Sequence, residues 1–407
     1  MLSKIYAVIG ASFGDEGKGA ITDYIAHSDL WSGFLKGVVI LHNGGPQRAH
    51  TVQLSDGFRH VFRHFGSGTL AGADTYFADT FVVNPILFHQ EYETLQKTHI
   101  KMPFFYMDKN CLFTTFFDML VNQAREIQRG AINKHGSCGL GVFETMCRAQ
   151  TGTIKIKEQI IKPYGMTVGE FASLSTLSKY NFLESLRELY TYKRINQTKL
   201  AKMPEHLEKA LYSDIAIDNF INDFNYMMER VILVDGPARI WDYDVAIFES
   251  GQGLLLDQNN EEYFPYLTPS QTGLDNPIRI LERIGQTNIP IHAVFVTRTY
   301  VTRHGIGRLD RECNKREFGE NIIDLTNVPN PFQDSLRYAH LDWKELHSRM
   351  LKHCLDATKG SSIIIVPEIA VTHMDEYSGN PWPDYIKPKY LGFGPSRSRI
   401  LTTVQLY

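Results

Sequence analysis

Ile5-Tyr6-Ala7-Val8-Ile9-Gly10-Ala11-Ser12-Phe13-Gly14-Asp15-Glu16-Gly17-Lys18-Gly19 is the stretch whose reading decides the fold. A short apolar run of strand-forming residues ends in a loop carrying Gly10, Gly14, Gly17 and Gly19, and the loop opens a helix-like segment from Ala20 to Ala26. Strand, glycine-rich turn and helix in that order make a phosphate-binding arrangement. Glycines let backbone N–H groups turn toward an anion, the helix N-terminus adds partial positive charge, and Lys18 supplies a full one. Two features separate this loop from an ordinary P-loop. Gly19 stands where a Ser or Thr would hold Mg²⁺, and Asp15-Glu16 put two carboxylates inside a phosphate cradle. A carboxylate there repels phosphate, so Asp15 makes sense as a metal ligand or as a base taking a proton from a second substrate.

The rest of the chain extends this architecture. β-rich runs at Val38–Leu41, Val245–Phe248, Ile291–Val296 and Ile363–Val366 alternate with helical segments such as Leu341 to Leu355. That alternation predicts an α/β fold, a mainly parallel, doubly wound sheet with its ligands at the carboxyl ends of the strands. The glycine-rich loop, Gly44-Gly45, Gly251-Gln252-Gly253 and Thr372 to Asp375 each follow a strand and are expected to converge on one cleft. Residues from about 151 to 230 are rich in Lys, Glu, Leu and Tyr and show no convincing buried strand, so they read as a helical insertion in a single domain of 407 residues.

Composition narrows the function classes. A formal net charge of -3 excludes a polycationic field, which argues against a nucleic-acid polymer as partner and leaves room for small phosphorylated substrates. Cys111, Cys138, Cys147, Cys313 and Cys354 are odd in number and lack C-x-x-C spacing, which points to a reducing compartment without disulfides or structural zinc. No apolar run reaches transmembrane length and the chain enters a strand at once, so a cytoplasmic protein with no membrane partner is expected.

Three further motifs carry chemistry. His42-Asn43-Gly44-Gly45-Pro46-Gln47-Arg48-Ala49-His50-Thr51-Val52 places His50 after a Gly-Gly loop, where imidazole can stabilise an oxyanion or move a proton near neutral pH. In His135-Gly136-Ser137-Cys138-Gly139-Leu140-Gly141, a hydroxyl and small-residue amides can cradle a monophosphate. Phe248-Glu249-Ser250-Gly251-Gln252-Gly253-Leu254-Leu255-Leu256-Asp257 then leads to Tyr263-Phe264-Pro265-Tyr266-Leu267-Thr268-Pro269-Ser270-Gln271-Thr272. The charged run Arg59, His60, Arg63 and His64 reads as a solvated face or substrate entrance.

Taken in order, Gly14-Asp15-Glu16-Gly17-Lys18-Gly19, Ala49-His50-Thr51-Val52, Gly251-Gln252-Gly253 with Leu255-Leu256-Asp257, Phe264-Pro265-Tyr266 with Thr268, Thr302-Arg303 with Gly305 and Gly307, and Gly394-Pro395 resemble adenylosuccinate synthetase over nearly the whole chain. The resemblance implies a ligase that joins L-aspartate to C6 of a 6-oxopurine nucleoside monophosphate, driven by ATP or GTP with Mg²⁺ as cofactor. Carried over by motif, Asp15 takes the N1 proton and, with Ala49, touches the metal, while His50 and Lys18 handle charge on O6 and on the transferring phosphate. Gly14, Glu16, Gly17, Gly19, Thr51, Asp375, Gly394 and Pro395 fall to the triphosphate. Asp15, Gln47, Ser137, Cys138, Arg148, Gln252 and Thr272 fall to the monophosphate nucleotide. Arg148 matches the arginine that crosses to a partner subunit in this family, which implies a homodimer.

The departures point to a branch. The aspartate loop, rich in arginine in housekeeping members, reads Asn330-Pro331-Phe332-Gln333-Asp334-Ser335-Leu336-Arg337-Tyr338-Ala339-His340-Leu341-Asp342, leaving Arg337, with Ser335, for the aspartate. This loop, Gly44-Gly45-Pro46 and Ser137-Cys138 look like the viral branch, which makes 2-aminoadenine nucleotides from dGMP and would act in the host cytoplasm. Asp15 is kept as in IMP-using enzymes. Thr372-His373-Met374-Asp375 retains the guanine-reading aspartate of GTP-dependent members without its lysine, while viral relatives accept ATP. A non-catalytic nucleotide-binding regulator and a generic P-loop phosphotransferase are the other classes. The first has no use for Asp15, Lys18, His50 and Gln252 together, and the second lacks the Ser or Thr after Lys18.

Overall fold

The computed structural model describes residues 2–403 apart from 99, 134–135, 151–153, 157–158, 162–164, 197–202, 320–321, 323, 328–334 and 377–381. Its frame is a ten-stranded sheet in the order Ile400–Thr402, Tyr390–Gly392, Ile365–Thr372, Ile291–Arg298, Lys4–Gly10, Val245–Gly253, Gly37–Leu41, Asp74–Phe77, Phe105–Asp108 and Ile232–Val234. Neighbours run parallel except the antiparallel pair formed by the two C-terminal strands.

Period-two alternation explains why the central strands are apolar throughout. In Lys4–Gly10, Tyr6 and Val8 enter one core while Ile5, Ala7 and Ile9 enter another on the opposite face. Gly37–Leu41 divides the same way, Val39 and Leu41 against Val38 and Ile40. A strand covered on both faces has no polar side to show, the mark of a doubly wound sheet. The strand expected at Ile363–Val366 instead runs Ile365–Thr372. Glu368, which reads as the end of the apolar run, is accommodated because His292 Nδ1 and Lys389 Nζ meet its carboxylate at 2.7 and 2.8 Å.

Four helices matter for the site: α1 (Lys18–Leu30), α2 (Pro85–Gln96), α3 (Phe116–Asn133) and α4 (Val142–Gln150). The inserted region carries the helices Val168–Ala172, Thr176–Asn196, Glu205–Leu211 and Asp214–Met228, together with a short antiparallel hairpin, Ile154–Ile156 with Gln159–Ile161, absent from the sequence expectation. Its Phe171, Leu183, Phe220 and Phe224 join the same buried cluster as Phe65, Phe77 and Phe88 beside the sheet. Among the described residues no helix is long and apolar enough to cross a membrane.

Candidate active site

The carboxyl ends of Lys4–Gly10 and Val245–Gly253 are adjacent, and their loops interlock. Leu255 N donates to Ser12 O at 2.9 Å. Asn43 ties its own loop to Gly251, donating to Gly251 O at 3.1 Å and accepting from Gly251 N at 2.8 Å. Thr372 Oγ1 closes the ring by donating to Glu16 O at 2.7 Å. The loops surround a cavity of about 1520 Å³. Pockets for one small ligand span roughly 300 to 1,000 Å³, so there is room for more than one substrate.

The carboxylate of Glu16 does not face the phosphate cradle. It is buried under the loop, where Oε1 accepts from Ser12 N (2.8 Å) and Gly14 N (3.1 Å) and Oε2 meets Lys18 Nζ at 3.2 Å. Glu16 therefore shapes the loop and orients Lys18, and its charge is spent internally. Gly17 takes φ 87° as the α1 N-cap. Gly19 is small because α1 crosses the strand His50–Gln53 closely, and a Cβ there would lie 2.8 Å from the Cβ of His50. That contact, rather than a lost magnesium ligand alone, explains the missing Ser or Thr.

His50 lies on the cavity wall with Nδ1 2.7 Å from Glu249 Oε1. By distance the pair is ionic, but burial holds the imidazole down at about 4, whereas Arg48 and His50 overcome the burial of Glu249 and hold it at about 2. The contact is thus a neutral imidazole beside an ionised carboxylate. Since a carboxylate only accepts, the proton sits on Nδ1 and Nε2 is left without a partner among the described residues. Glu249 also accepts from Arg48 (3.2 Å) and Ser67 N (3.0 Å). Asp15 is left-handed (φ 61°), its carbonyl is held by Arg298 Nε at 2.6 Å, and its carboxylate lies 3.7 Å from His304 Nε2.

Residues 7–328, which contain all of these groups except Thr372, match a family model described as adenylosuccinate synthetase. The chain belongs to the adenylosuccinate synthetase family. Members of this family are ligases that form a C–N bond with aspartate. The Borrelia duttonii adenylosuccinate synthetase is 33% identical over 349 residues, 80% of this chain and 70% of its own. That of Acaryochloris marina is 27% identical over 321 residues, 75% of this chain and 62% of its own, so the chain spans less than two thirds of that relative. In fold it is similar to the fully ligated adenylosuccinate synthetase of Plasmodium falciparum (TM-score 0.68, 16% identity, 98% of this chain and 100% of that one). It is also similar to the succinoaminodeoxyadenylate synthetase of cyanophage S-2L bound to dGMP and dATP (TM-score 0.62, 14% identity, 99% and 96%).

Most residues carried over from the family line this cavity. Gly14 to Gly19, Gln47, Ala49, His50, Thr51, Ser137, Cys138, Gln252, Asp375, Gly394 and Pro395 are all on its wall. Four residues are placed elsewhere. Thr272 is fully buried, its hydroxyl donating to Gly253 O at 3.1 Å, and it holds the loop from behind. Arg148 is off the wall, buried against Asp118 (3.1 Å) and Phe113 O (2.8 Å). Arg337 is off the wall, its guanidinium taken up by Glu312 Oε1 (2.8 Å), Gly305 O (2.8 Å) and Gly307 O (2.6 Å). Ser335 is exposed and also off the wall. Asn330 to Asp334 and His135 lie outside the described residues.

The charged run at 59–64 is not a solvated face. His60 and His64 are buried, and Arg59 and Arg63 lie on the cavity wall. Three site residues escaped sequence reasoning. Glu249 had a signal, a lone carboxylate ending an apolar strand. Arg298 had none. Arg303 was visible only as part of a motif. It lies on the wall, stacked over Phe13 with its guanidinium carbon 4.3 Å from the ring centroid; its terminal nitrogens donate to Arg308 O and Tyr266 O (3.2 Å), and its buried Nε has no partner among the described residues. Burial, reinforced by Arg337, lowers its pKa to about 10.

Proposed function

We propose that the chain condenses L-aspartate with C6 of a 6-oxopurine nucleoside monophosphate, with dGMP favoured, at the expense of a nucleoside triphosphate and in the cytoplasm, that of a host cell if the chain is viral. The observation that carries the reading is the meeting of Asp15, Lys18, His50 and Gln252 on one cavity wall. Asp15 accepts the N1 proton, O6 bonds to the γ-phosphorus, and the bond from that phosphorus to the β-bridging oxygen breaks to release a nucleoside diphosphate. The aspartate amine then attacks C6, the C6–O6 bond breaks, phosphate leaves and the amine sheds a proton. His50, raised toward the imidazolium by an adjacent phosphate, donates from Nε2 to the developing charge, and Glu249 fixes its tautomer. Lys18, aligned by Glu16, meets the transferred phosphoryl group.

Mg²⁺ fits the donors present, since the Asp15 carboxylate, only partly shielded, and Ala49, whose carbonyl is a further oxygen donor, are both on the cavity wall, hard oxygen ligands suited to this cation. When bound, it would neutralise triphosphate charge. Arg303, rather than Arg337, is the cation assigned to an aspartate carboxylate.

The preference for dGMP rests on acceptors. Gln47 and Gln252 are on the cavity wall with their Oε1 atoms buried and without hydrogen-bond partners, so a guanine engages them, together with Asp15, once these amides turn toward it. Guanine offers N1–H and a 2-amino group, hypoxanthine N1–H alone, so guanine satisfies more of these groups. The fold similarity to the cyanophage enzyme bound to dGMP and dATP supports the same reading. A second reading, IMP as substrate, is favoured by the 33% identity to a bacterial adenylosuccinate synthetase and by retained Asp15. Incubation with aspartate, Mg²⁺, either ATP or GTP, and equal dGMP and IMP separates them by mass spectrometry of the succinylated products. A pool dominated by adenylosuccinate overturns dGMP, and no succinylated product overturns the ligase.

A further inference from the structure

Arg148, matched by the family resemblance to an arginine that crosses to a partner subunit, is held in a buried pair with Asp118 and is off the cavity wall near Ser137-Cys138. Ser137 is held there by α3, donating to Asn122 Oδ1 at 2.6 Å. One turn earlier on α3, Met119 Sδ accepts from Asn84 Nδ2 at 3.4 Å, and Asn84 N donates to His64 Nε2 at 2.9 Å. These contacts bring the residue before His64, Arg63, to the same end of the cavity. Its backbone is pinned, with its N–H donating to both carboxylate oxygens of Glu91 on α2 at 3.1 Å. Its guanidinium lies on the wall and has no hydrogen-bond or carboxylate partner among the described residues. Two other cations of this quarter are already paired, Arg129 with Glu126 and Arg125 with Glu144. The positive charge of Arg63 also reaches the Cys138 thiol, opposing the rise that burial causes there.

We propose that Arg63, on the same chain as Asp15 and His50, binds the monophosphate of the purine nucleotide. The inference rests on the proposed ligase reading. A free, backbone-anchored guanidinium beside a hydroxyl and a small-residue loop is a phosphate site of ordinary chemistry, with two parallel N–H donors for one face of the anion. The fold does not need this charge, because the side chain holds nothing else in place among the described residues.

The test is calorimetric titration of dGMP, IMP, ATP and GTP into the wild-type chain, Arg63→Ala and Arg63→Lys, with thermal melting as the control for folding. Loss of a charge-assisted contact predicts a Kd for the monophosphate weaker by about tenfold to a hundredfold in Arg63→Ala. Partial recovery in Arg63→Lys, triphosphate affinity within twofold and an unchanged melting temperature are expected. Unchanged monophosphate affinity overturns the assignment, as does an equal loss for the triphosphates, which would make Arg63 a general attractant. If the wild-type chain binds neither dGMP nor IMP, the ligase reading falls and this inference with it.

Discussion

Replacing Glu249 by Gln should weaken the fold and the chemistry together, by amounts that can be worked in advance. The carboxylate is wholly buried and faces Arg48 at 3.2 Å and His50 at 2.7 Å. Its pKa, drawn from an ordinary 4.5 to about 2, corresponds to about 3 kcal/mol of stability at about 1.4 kcal/mol per tenfold change. Removing one partner of a buried pair, which strands the Arg48 charge, costs about 3 to 5 kcal/mol, so two independent routes agree. The sign follows from the depressed carboxylate. Its contribution is complete above pH 4.5 and is lost as pH falls toward 2. His50 acts in the same direction at higher pH, because burial holds it at about 4 and the unfolded chain takes up its proton first as pH falls below 6.5. Urea denaturation at pH 7 should therefore show Glu249→Gln less stable by about 3 kcal/mol, with the gap narrowing in acid as the wild-type chain loses what the variant never had. Turnover should fall at least about tenfold, since the amide neither stabilises an imidazolium nor fixes Nδ1 as the donor. A variant as stable as wild type at pH 7 with the same acid profile would refute this account of the cluster.

Three further changes probe other parts of the cavity. Asp15→Asn should lower turnover by about a hundredfold or more while leaving melting unchanged, because the carboxylate is partly exposed and Arg298 holds only the backbone carbonyl; retained activity would remove its role as base. Gly19→Ser, which would restore the ordinary P-loop residue, should destabilise by about 1 to 3 kcal/mol in a denaturation series, because its Cβ falls 2.8 Å from that of His50; a stable, active variant would show that α1 can shift. Arg303→Lys should raise the KM for aspartate selectively, whereas Arg337→Lys should lower thermal stability by loosening Glu312 from the Gly305 to Gly307 loop; the reverse pattern in steady-state kinetics would return the carboxylate site to Arg337.

The sheet was legible because its strands are short apolar runs closed by glycine-rich loops, and a strand buried on both faces has no other composition available. Loop convergence followed from strand ends lying on one edge. Side-chain direction was not legible. Nothing in the order Asp15-Glu16 tells that the second carboxylate turns under the loop to meet Ser12 N and Gly14 N, a consequence of the left-handed turn at Asp15. Nor does the text around Arg148 show Asp118, thirty positions away on another helix, waiting to pair with it. The same holds at 59–64, where alternation along the strand Arg59–Phe62 and the bend after it bury the histidines and turn the arginines to the cavity. Charges close in sequence look solvated until the partners supplied by distant segments are known.

Backbone strain marks the same cavity independently of any motif. Among the described residues other than glycine, four have positive φ, and three of them, Asp15 (61°), Gln252 (58°) and His373 (58°), are on the cavity wall. A left-handed conformation costs a residue with a Cβ about 1 to 2 kcal/mol, and glycine would occupy each position without that cost. Each residue follows or ends a parallel strand of the sheet, the adjacent Lys4–Gly10 and Val245–Gly253 and, one strand beyond Ile291–Arg298, Ile365–Thr372. Retaining a side chain at a turn better suited to glycine makes sense where the side chain is used. The Asp15 carboxylate lies beside His304, the Gln252 amide has a buried oxygen without a partner, and the His373 ring is fastened to Thr372 Oγ1 at 2.8 Å, the group that closes the phosphate loop. The strain therefore falls on residues of the cavity wall, and the interlocked loops of Asn43, Gly251, Ser12 and Glu16 are what keep those turns from relaxing.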